Sequence, residues 1–134
     1  MKIKDVMVAD VEAVEHHASL HEAAYLMRSA GVGNLPVVRD ERVVGVITGG
    51  DILSRAVAEG LDTVSTRVRD VMTRSVVTCR EEDDVEVARC LMLERALRRL
   101  VVVDADGGLA GILAAADLEA HESGAGRRRA GAVV

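Results

Sequence analysis

The sequence predicts an α+β fold (of the α/β type) made of two tandem copies of a β-α-β-β-α unit. The first observation is an internal repeat, because Asp5-Val6-Met7 recurs as Asp70-Val71-Met72 at an offset of 70 − 5 = 65. The second is that each copy alternates short β-branched runs with stretches whose apolar residues have helical spacing. The third is that 49% of the residues are apolar, which suits aliphatic cores.

The first copy, residues 1–59, predicts a strand and then a helix after its Asp-Val-Met segment. A short apolar run near Val11 to Val14 indicates the strand. Ser19 and Glu22 have the spacing of a capping box, so we expect a helix to begin there and to end at Gly31. The expected apolar face of this helix consists of Leu20, Ala23, Ala24, Met27 and Ala30.

Two further strands and a second helix complete the first copy. Leu35 to Arg39 predicts a strand with Pro36 near its start, where the missing N–H is tolerated. The β-branched run Val43 to Ile47 predicts the next strand. It stops at the corner Thr48-Gly49-Gly50-Asp51, and apolar residues at helical spacing from Asp51 predict a helix to about Ala58.

The second copy, residues 67–122, repeats this order after a linker at residues 60–66. One residue inserted in a turn raises the offset to 111 − 45 = 66, so that Gly111 matches Gly45 and Asp117 matches Asp51. The second corner reads Ala114-Ala115-Ala116-Asp117 and therefore lacks the hydroxyl. Residues 123–134 have neither period nor apolar face, and we expect a disordered tail.

Composition argues against nucleic acid and membrane partners. A formal charge of −5 gives no general attraction to phosphate backbones, and Tyr25 alone offers an aromatic ring for stacking bases. No run of about 18 apolar residues occurs, so we expect a soluble, cytoplasmic protein. Cys79 and Cys90 form no Cys-x-x-Cys pair and align with apolar-compatible positions, which predicts buried, inert thiols in a reducing compartment.

The sequence predicts neither an enzyme nor a metal site. No serine, cysteine or carboxylate pair stands in a recognisable nucleophile or acid/base arrangement. His16, His17 and His21 cluster around the start of the first helix, but no cysteine or acidic residue has matching ligand spacing. We expect no required cofactor.

The corner from Thr48 to Asp51 is the best candidate for ligand binding. The first N–H groups of a helix lack acceptors within it and carry partial positive charge, so the amides of Gly49 and Gly50 can receive a phosphate. A carboxylate accepts from two vicinal hydroxyls, and a hydroxyl donates to phosphate. Thr-x-x-Asp is also the spacing of a capping box, so a purely structural role stays open.

The doubled order, the Asp-Val-Met openings and the corner Gly45-Val46-Ile47-Thr48-Gly49-Gly50-Asp51 resemble a pair of cystathionine-β-synthase (CBS) domains over about residues 1–122. The resemblance implies a stand-alone Bateman module whose two units pack sheet to sheet with approximate two-fold symmetry. It implies that clefts between the units bind AMP, ADP, ATP or S-adenosylmethionine. It also implies a homodimer that regulates a partner protein.

The resemblance assigns roles to particular residues. In the family pattern Thr48 supports the phosphate or ribose, and Asp51 holds the ribose hydroxyls. Arg98 and Arg99 stand where family members carry basic residues that reach ligand phosphates, although an ordinary surface role stays open. His17 borders the ligand cleft, as the first strand does in the family.

The second corner predicts a weaker site. Asp117 is present, but Ala114 cannot donate a hydrogen bond, and losing one to a charged partner costs about 1–3 kcal/mol, or about one to two decades in affinity. We therefore expect one competent site per chain. The alternative is a module without ligand that serves dimerisation or protein docking, and the loss of polar residues from Ala114 to Ala116 motivates it.

Overall fold

The computed structural model describes residues 1–122, and the tail predicted at residues 123–134 lies outside the described residues. The described chain forms two compact units, each containing one three-stranded sheet. One unit consists of Glu12–Val76, and the other combines Met1–Val11 with residues 77–122. The predicted α+β class is confirmed.

The unit of residues 12–76 follows the predicted order. Its elements are β1 (Val14–Glu15), α1 (Leu20–Ala30), β2 (Asn34–Arg39), β3 (Arg42–Thr48), α2 (Gly49–Ile52), a π-helical turn (Leu53–Val57) and a 3₁₀ turn (Val68–Asp70). The central strand β2 pairs with β1 in parallel and with β3 in antiparallel fashion. Because Asn34 pairs with Thr48, the corner lies where β2 begins.

The unit that contains residues 77–122 has the same design. Its elements are a 3₁₀ turn (Ile3–Asp5), β4 (Thr78–Arg80), α3 (Val85–Arg95), β5 (Arg99–Val103), β6 (Leu109–Ala114) and α4 (Ala115–Glu122). The sheet order β4-β5-β6 repeats β1-β2-β3. Even the register shift recurs, between Val37 and Val38 in one unit and between Val102 and Val103 in the other.

The helix ends show why the sequence predicted α1 and α3 correctly. Ser19 Oγ accepts from the Glu22 amide at 3.1 Å, and the Asp84 carboxylate accepts from the Glu86 amide at 3.0 Å. These bonds satisfy N–H groups that have no partner within the helix. Leu20, Ala23 and Met27 form the buried face of α1. Ala24, predicted on that face, is exposed because it lies at the margin of this stripe.

The two Asp-Val-Met segments pack on the sheet of the other sequence copy. Val68, Val71 and Met72 belong to the core of residues 12–76, whereas the first segment contributes its apolar side chains to the core of residues 77–122. The sequence copies, residues 1–59 and 67–122, therefore differ from the compact units. Each copy contributes its Asp-Val-Met segment to the unit that contains the sheet of the other copy, and we call this the segment exchange.

Two glycines allow this exchange. The Val46 amide donates to the Thr73 carbonyl at 3.0 Å, and the Thr73 amide donates back at 2.9 Å, so the segment joins the edge of β3. A Cβ at Gly45 would lie 2.7 Å from the Thr73 carbonyl oxygen. At Gly111 it would lie 2.5 Å from that of Val8. Both distances are too short for any side chain.

Charges reinforce the N-terminal segment. The ammonium groups of Lys2 and Lys4 donate to the Glu82 carboxylate at 2.7 and 2.8 Å. These hydrogen bonds, from Lys2 first and Lys4 second, lower the pKa of Glu82 to about 2. The Ile3 amide also donates to the Asp83 carbonyl at 2.8 Å. The segment is therefore held by apolar burial, backbone hydrogen bonds and exposed ion pairs.

We expect Ile3→Ala to lower the free energy of unfolding by about 2–5 kcal/mol, because a fully buried side chain leaves a cavity. Hydrogen exchange should rise most in residues 77–122. Val68→Ala, the equivalent change in the repeat, should instead raise exchange most in residues 12–59. Loss of protection in residues 12–59 on Ile3→Ala would contradict the segment exchange.

Candidate functional site

The corner at Thr48 and Asp51 forms a complete capping box. The Asp51 amide donates to Thr48 Oγ1 at 3.0 Å, and the Thr48 amide donates to Asp51 Oδ2 at 3.0 Å. Thr48 has the extended backbone of an N-cap residue, with φ −117° and ψ 161°. The structural role that the sequence left open is thus present. The same bonds hold a hydroxyl and a carboxylate in fixed positions.

The Asp51 carboxylate keeps accepting capacity beyond the cap. Its side chain is 13% exposed, and within residues 1–122 the polar contacts of Oδ1 are long, to Thr73 Oγ1 at 3.4 Å and to Arg55 Nε at 3.9 Å. An ionised carboxylate has about four lone-pair positions. Oδ1 can therefore accept a ligand hydroxyl while Oδ2 caps the helix.

Thr73 is a site residue that sequence reasoning missed. It arrives on the exchanged segment, and its hydroxyl is 3.4 Å from both Asp51 oxygens. The repeat carried a signal, because the equivalent residue at 73 − 65 = 8 is Val8. The first corner therefore has two hydroxyls beside its aspartate, whereas the equivalent positions of the second are Ala114 and Val8.

One of the two glycines of the corner, Gly49, differs from the expectation of an open amide. The Gly49 amide donates to the Gly33 carbonyl at 2.9 Å, so this N–H already has an acceptor. A Cβ at Gly50 would lie 3.6 Å from Thr48 Oγ1, an ordinary contact distance. At this corner, the side chains of Thr48 and Asp51 are therefore better candidates for ligand contacts than the Gly49 amide.

The second corner keeps half of this arrangement. The Ala114 amide donates to Asp117 Oδ2 at 3.4 Å, and Asp117 is only 3% exposed. The Ala115 amide donates to the Arg98 carbonyl at 2.8 Å, which repeats the bond from Gly49 to Gly33. The aspartate thus accepts the amide at the start of α4, and position 114 provides no hydroxyl.

Arg98 and Arg99 lie beside the second corner. Arg99 pairs with Ala114 across β5 and β6, and the Arg98 carbonyl accepts from Ala115. Thr48 and Asp51 belong to the unit of residues 12–76, so the two arginines and the intact corner are in different units.

His17 lies at the far end of its sheet from Thr48. It follows Glu15, which pairs with Val38, four residues along β2 from Asn34. Four residues of strand span about 13 Å. The His17 ring is exposed and edge-on to that of His16 at 5.4 Å. Within residues 1–122, no group of three or more histidine, cysteine or acidic side chains could hold a metal ion.

A cavity of about 230 Å³ lies at that far end, and we call it the arginine pocket. All its lining residues belong to residues 12–76: His16, Arg39, Val44, Arg69, Met72 and Arg74. Sequence reasoning missed it because its residues come from separate parts of the chain. A comparison of the copies carried a signal, because the basic residues His16 and Arg39 correspond to the acidic residues Glu81 and Asp104.

The two cysteines differ in environment. Cys79 is buried, and burial first, then the nearby charge of Asp83, raises the pKa of its thiol to about 11. Such a thiol is inert at neutral pH. The expectation that Cys90 is buried is wrong, because it lies two residues from both Ala88 and Met92 and so faces away from the core.

The described residues contain no helix that is both long and apolar enough to span a membrane.

The comparisons with known proteins agree with this architecture. The family model for the CBS domain matches residues 3–58 and 68–122. YhcV of Bacillus subtilis, a CBS domain-containing protein, is 36% identical over 120 residues, which cover 90% of this chain and 84% of YhcV. Enzymes also match, but the chain covers only 22% to 23% of the length of three of them.

Two solved structures are similar and contain adenosine compounds. CBSX2, a CBS-pair protein of Arabidopsis thaliana, was crystallised with AMP; it is 31% identical with a TM-score of 0.77, covering 92% of this chain and 96% of that one. The CBS domain pair of MJ0100 was crystallised with 5′-methylthioadenosine and S-adenosyl-L-methionine. It is 26% identical with a TM-score of 0.71, covering 92% and 97% of the two chains.

Proposed function

Because the chain belongs to the CBS-domain family, we propose that it is a regulatory module that senses AMP, ADP, ATP or S-adenosylmethionine through one competent site per chain. The site is built on Thr48 and Asp51. The observation that carries the proposal is the difference between the corners, since Ala114 replaces the threonine in the second. The module is cytoplasmic and regulates a partner protein.

The contacts of the first corner support this role. Thr48 Oγ1 accepts the Asp51 amide, so its own hydrogen remains available to donate to a phosphate or ribose oxygen. Asp51 Oδ1 can accept from ribose hydroxyls, and Thr73 supplies a further hydroxyl nearby. Capping and ligand binding use different atoms or different lone pairs of these side chains.

The similar structures support adenosine as the shared part of the ligand. AMP carries a phosphate, whereas 5′-methylthioadenosine and S-adenosyl-L-methionine do not. Arg98 and Arg99 favour a charged nucleotide, because guanidinium groups pair with phosphate. Asp117 defines a weak second site. The chain has no proposed catalytic activity, because the enzymes it matches share only a small part of their length with it.

Isothermal calorimetry with AMP, ADP, ATP and S-adenosylmethionine tests the site. We expect Thr48→Ala and Asp51→Ala to weaken binding of the preferred ligand by about 10–100-fold. Thr48→Ser keeps the hydroxyl and should bind like the wild type. Ala114→Thr should strengthen the second site.

Ser19→Ala is the matched control, because it removes a capping hydrogen bond of the same kind at the start of α1. Its affinity should equal that of the wild type, with stability lowered by about 0.5–2 kcal/mol. The proposal fails if no ligand binds more tightly than millimolar, or if Thr48→Ala and Ser19→Ala bind equally well.

A second candidate function is dimerisation or docking without a ligand, and exposed apolar side chains favour it. Leu53 and Val57 are 64% and 55% exposed and lie one helical turn apart, and Leu61 and Val64 follow at 45% and 68%. Exposed apolar patches mark interaction surfaces. We propose that a second copy of the chain covers this surface, which gives a homodimer under either function.

Sedimentation equilibrium tests the homodimer. We expect a dimer for the wild type and a monomer for Leu53→Glu, because a charge would be buried in the apolar contact. Leu93→Glu is the control, since Leu93 is 78% exposed but lies on α3 in the other compact unit, and this variant should remain dimeric. A wild-type monomer with and without AMP would contradict the homodimer. A dimer that binds no nucleotide would favour the docking function.

A further inference from the structure

The arginine pocket concentrates positive charge in a chain that is acidic overall. Arg39, Arg69 and Arg74 line it together with His16, and no acidic side chain of residues 1–122 does so, although the formal charge of the chain is −5. Guanidinium groups that share a cavity repel one another, and an anion relieves this repulsion.

Backbone hydrogen bonds fix the walls of the pocket. The His16 amide donates to the Val38 carbonyl at 2.9 Å, and the Arg69 amide donates to the His16 carbonyl at 2.9 Å. Arg74 Nη2 donates to the Arg69 carbonyl at 3.0 Å. The pocket therefore exists as a formed cavity before any ligand enters.

The guanidinium groups retain donors for a ligand. Arg39 Nε is 3.9 Å from the carboxylate of Asp40, and both side chains are largely exposed, which makes this ion pair weak. Arg74 uses one nitrogen on the Arg69 carbonyl. The Arg69 guanidinium itself has no hydrogen bond or ion pair to any other residue between 1 and 122.

The repeat provides an internal comparison. The backbone bonds recur, because the Lys4 amide donates to the Glu81 carbonyl at 3.0 Å and the Glu81 amide donates to Val103 at 3.1 Å. Only one of the charges recurs, because Lys4 stands where Arg69 does (69 − 65 = 4). Glu81 and Asp104 replace His16 and Arg39, and Ala9 replaces Arg74 (74 − 65 = 9).

The acidic counterparts also have local roles. Asp104 Oδ1 accepts from the amides of Asp106 and Gly108 at 2.8 and 2.9 Å, within its own turn. The unit of residues 77–122 thus forms the same backbone hydrogen bonds without a cluster of arginines. The fold therefore does not require these arginines.

Size and lining indicate the class of ligand. A volume of about 230 Å³ is below the roughly 300–1,000 Å³ typical of pockets for drug-sized ligands. Val44 packs against the core, and Met72 is 5% exposed, so the pocket also has an apolar wall. Guanidinium groups match phosphate by paired hydrogen bonds.

We propose that the arginine pocket binds a small phosphorylated compound, with its phosphate on Arg39, Arg69 and Arg74 and its carbon part against Val44 and Met72. This site differs from the corner at Thr48, because Arg39 lies at the opposite end of β2 and neither Thr48 nor Asp51 lines the pocket. The chain would then respond to two ligands.

Calorimetric titration of the full chain with pyrophosphate and with glycerol 3-phosphate tests the proposal. We expect both to bind the wild type, and Arg69→Gln and Arg39→Gln each to weaken binding by about tenfold or more. Stronger binding of glycerol 3-phosphate supports the contact of a carbon part with Val44 and Met72. Stronger binding of pyrophosphate would contradict that contact and indicate an inorganic anion.

Arg28→Gln is the matched control, because Arg28 is an arginine of the same unit that stacks on Tyr25 outside the pocket. It should bind both probes like the wild type. Thr48→Ala should also leave pyrophosphate binding unchanged, and Arg69→Gln should leave AMP binding unchanged. The two variants therefore test the corner and the arginine pocket independently.

Three results would overturn the proposal: no binding of either probe below millimolar, equal losses for Arg28→Gln and Arg69→Gln, or an oligonucleotide that competes with pyrophosphate and binds more tightly.

Discussion

The close approach of two backbones at Gly45 determines much of this structure. Val46 and Thr73 exchange two backbone hydrogen bonds there. This approach requires glycine at position 45, because a Cβ would lie only 2.7 Å from the Thr73 carbonyl oxygen. The same contact recurs at Gly111 with Val8. It attaches each Asp-Val-Met segment to a sheet formed by the other sequence copy. It also brings the Thr73 hydroxyl to Asp51.

The two corners diverged in the polar atoms that this shared backbone presents. Asp51 lies among the hydroxyls of Thr48 and Thr73, whereas Asp117 is 3% exposed and the equivalent positions beside it are Ala114 and Val8. An aspartate at this position is useful to the fold in both copies, because its carboxylate accepts the backbone amide three residues earlier. The fold does not require the two threonines, because the second copy forms the same backbone with Ala114 and Val8 in their places. Their presence in one corner alone is the basis for proposing one competent site.

The sequence predicted the order of elements because its signals are local. Capping residues at Ser19 and Asp84, the glycines and the β-branched runs act within a few residues, and the structure contains the helices and strands they indicate. The segment exchange could not be predicted, because the copies have the same pattern and the offset does not say which sheet a segment joins. The exposure of Cys90 could not be predicted, because alignment of the two copies gives the type of residue at a position and not the direction of its side chain.

The candidate site was predicted only in part for the same reason. Thr48 and Asp51 are close in sequence, and their spacing indicated both the cap and the corner. The acceptor of the Gly49 amide, Gly33, lies sixteen residues away (49 − 33 = 16), and Thr73 lies on a segment whose position depends on the exchange. The arginine pocket depends equally on residues brought together by tertiary structure.

The most direct test of the central claim is a titration of ¹⁵N-labelled protein with AMP, followed by the backbone amide chemical shifts. The account predicts saturable changes at Thr48, Asp51 and Thr73, with much smaller changes at Ala114 and Asp117 at the same AMP concentration. Equal changes at both corners, or none at Thr48 and Asp51, would contradict it.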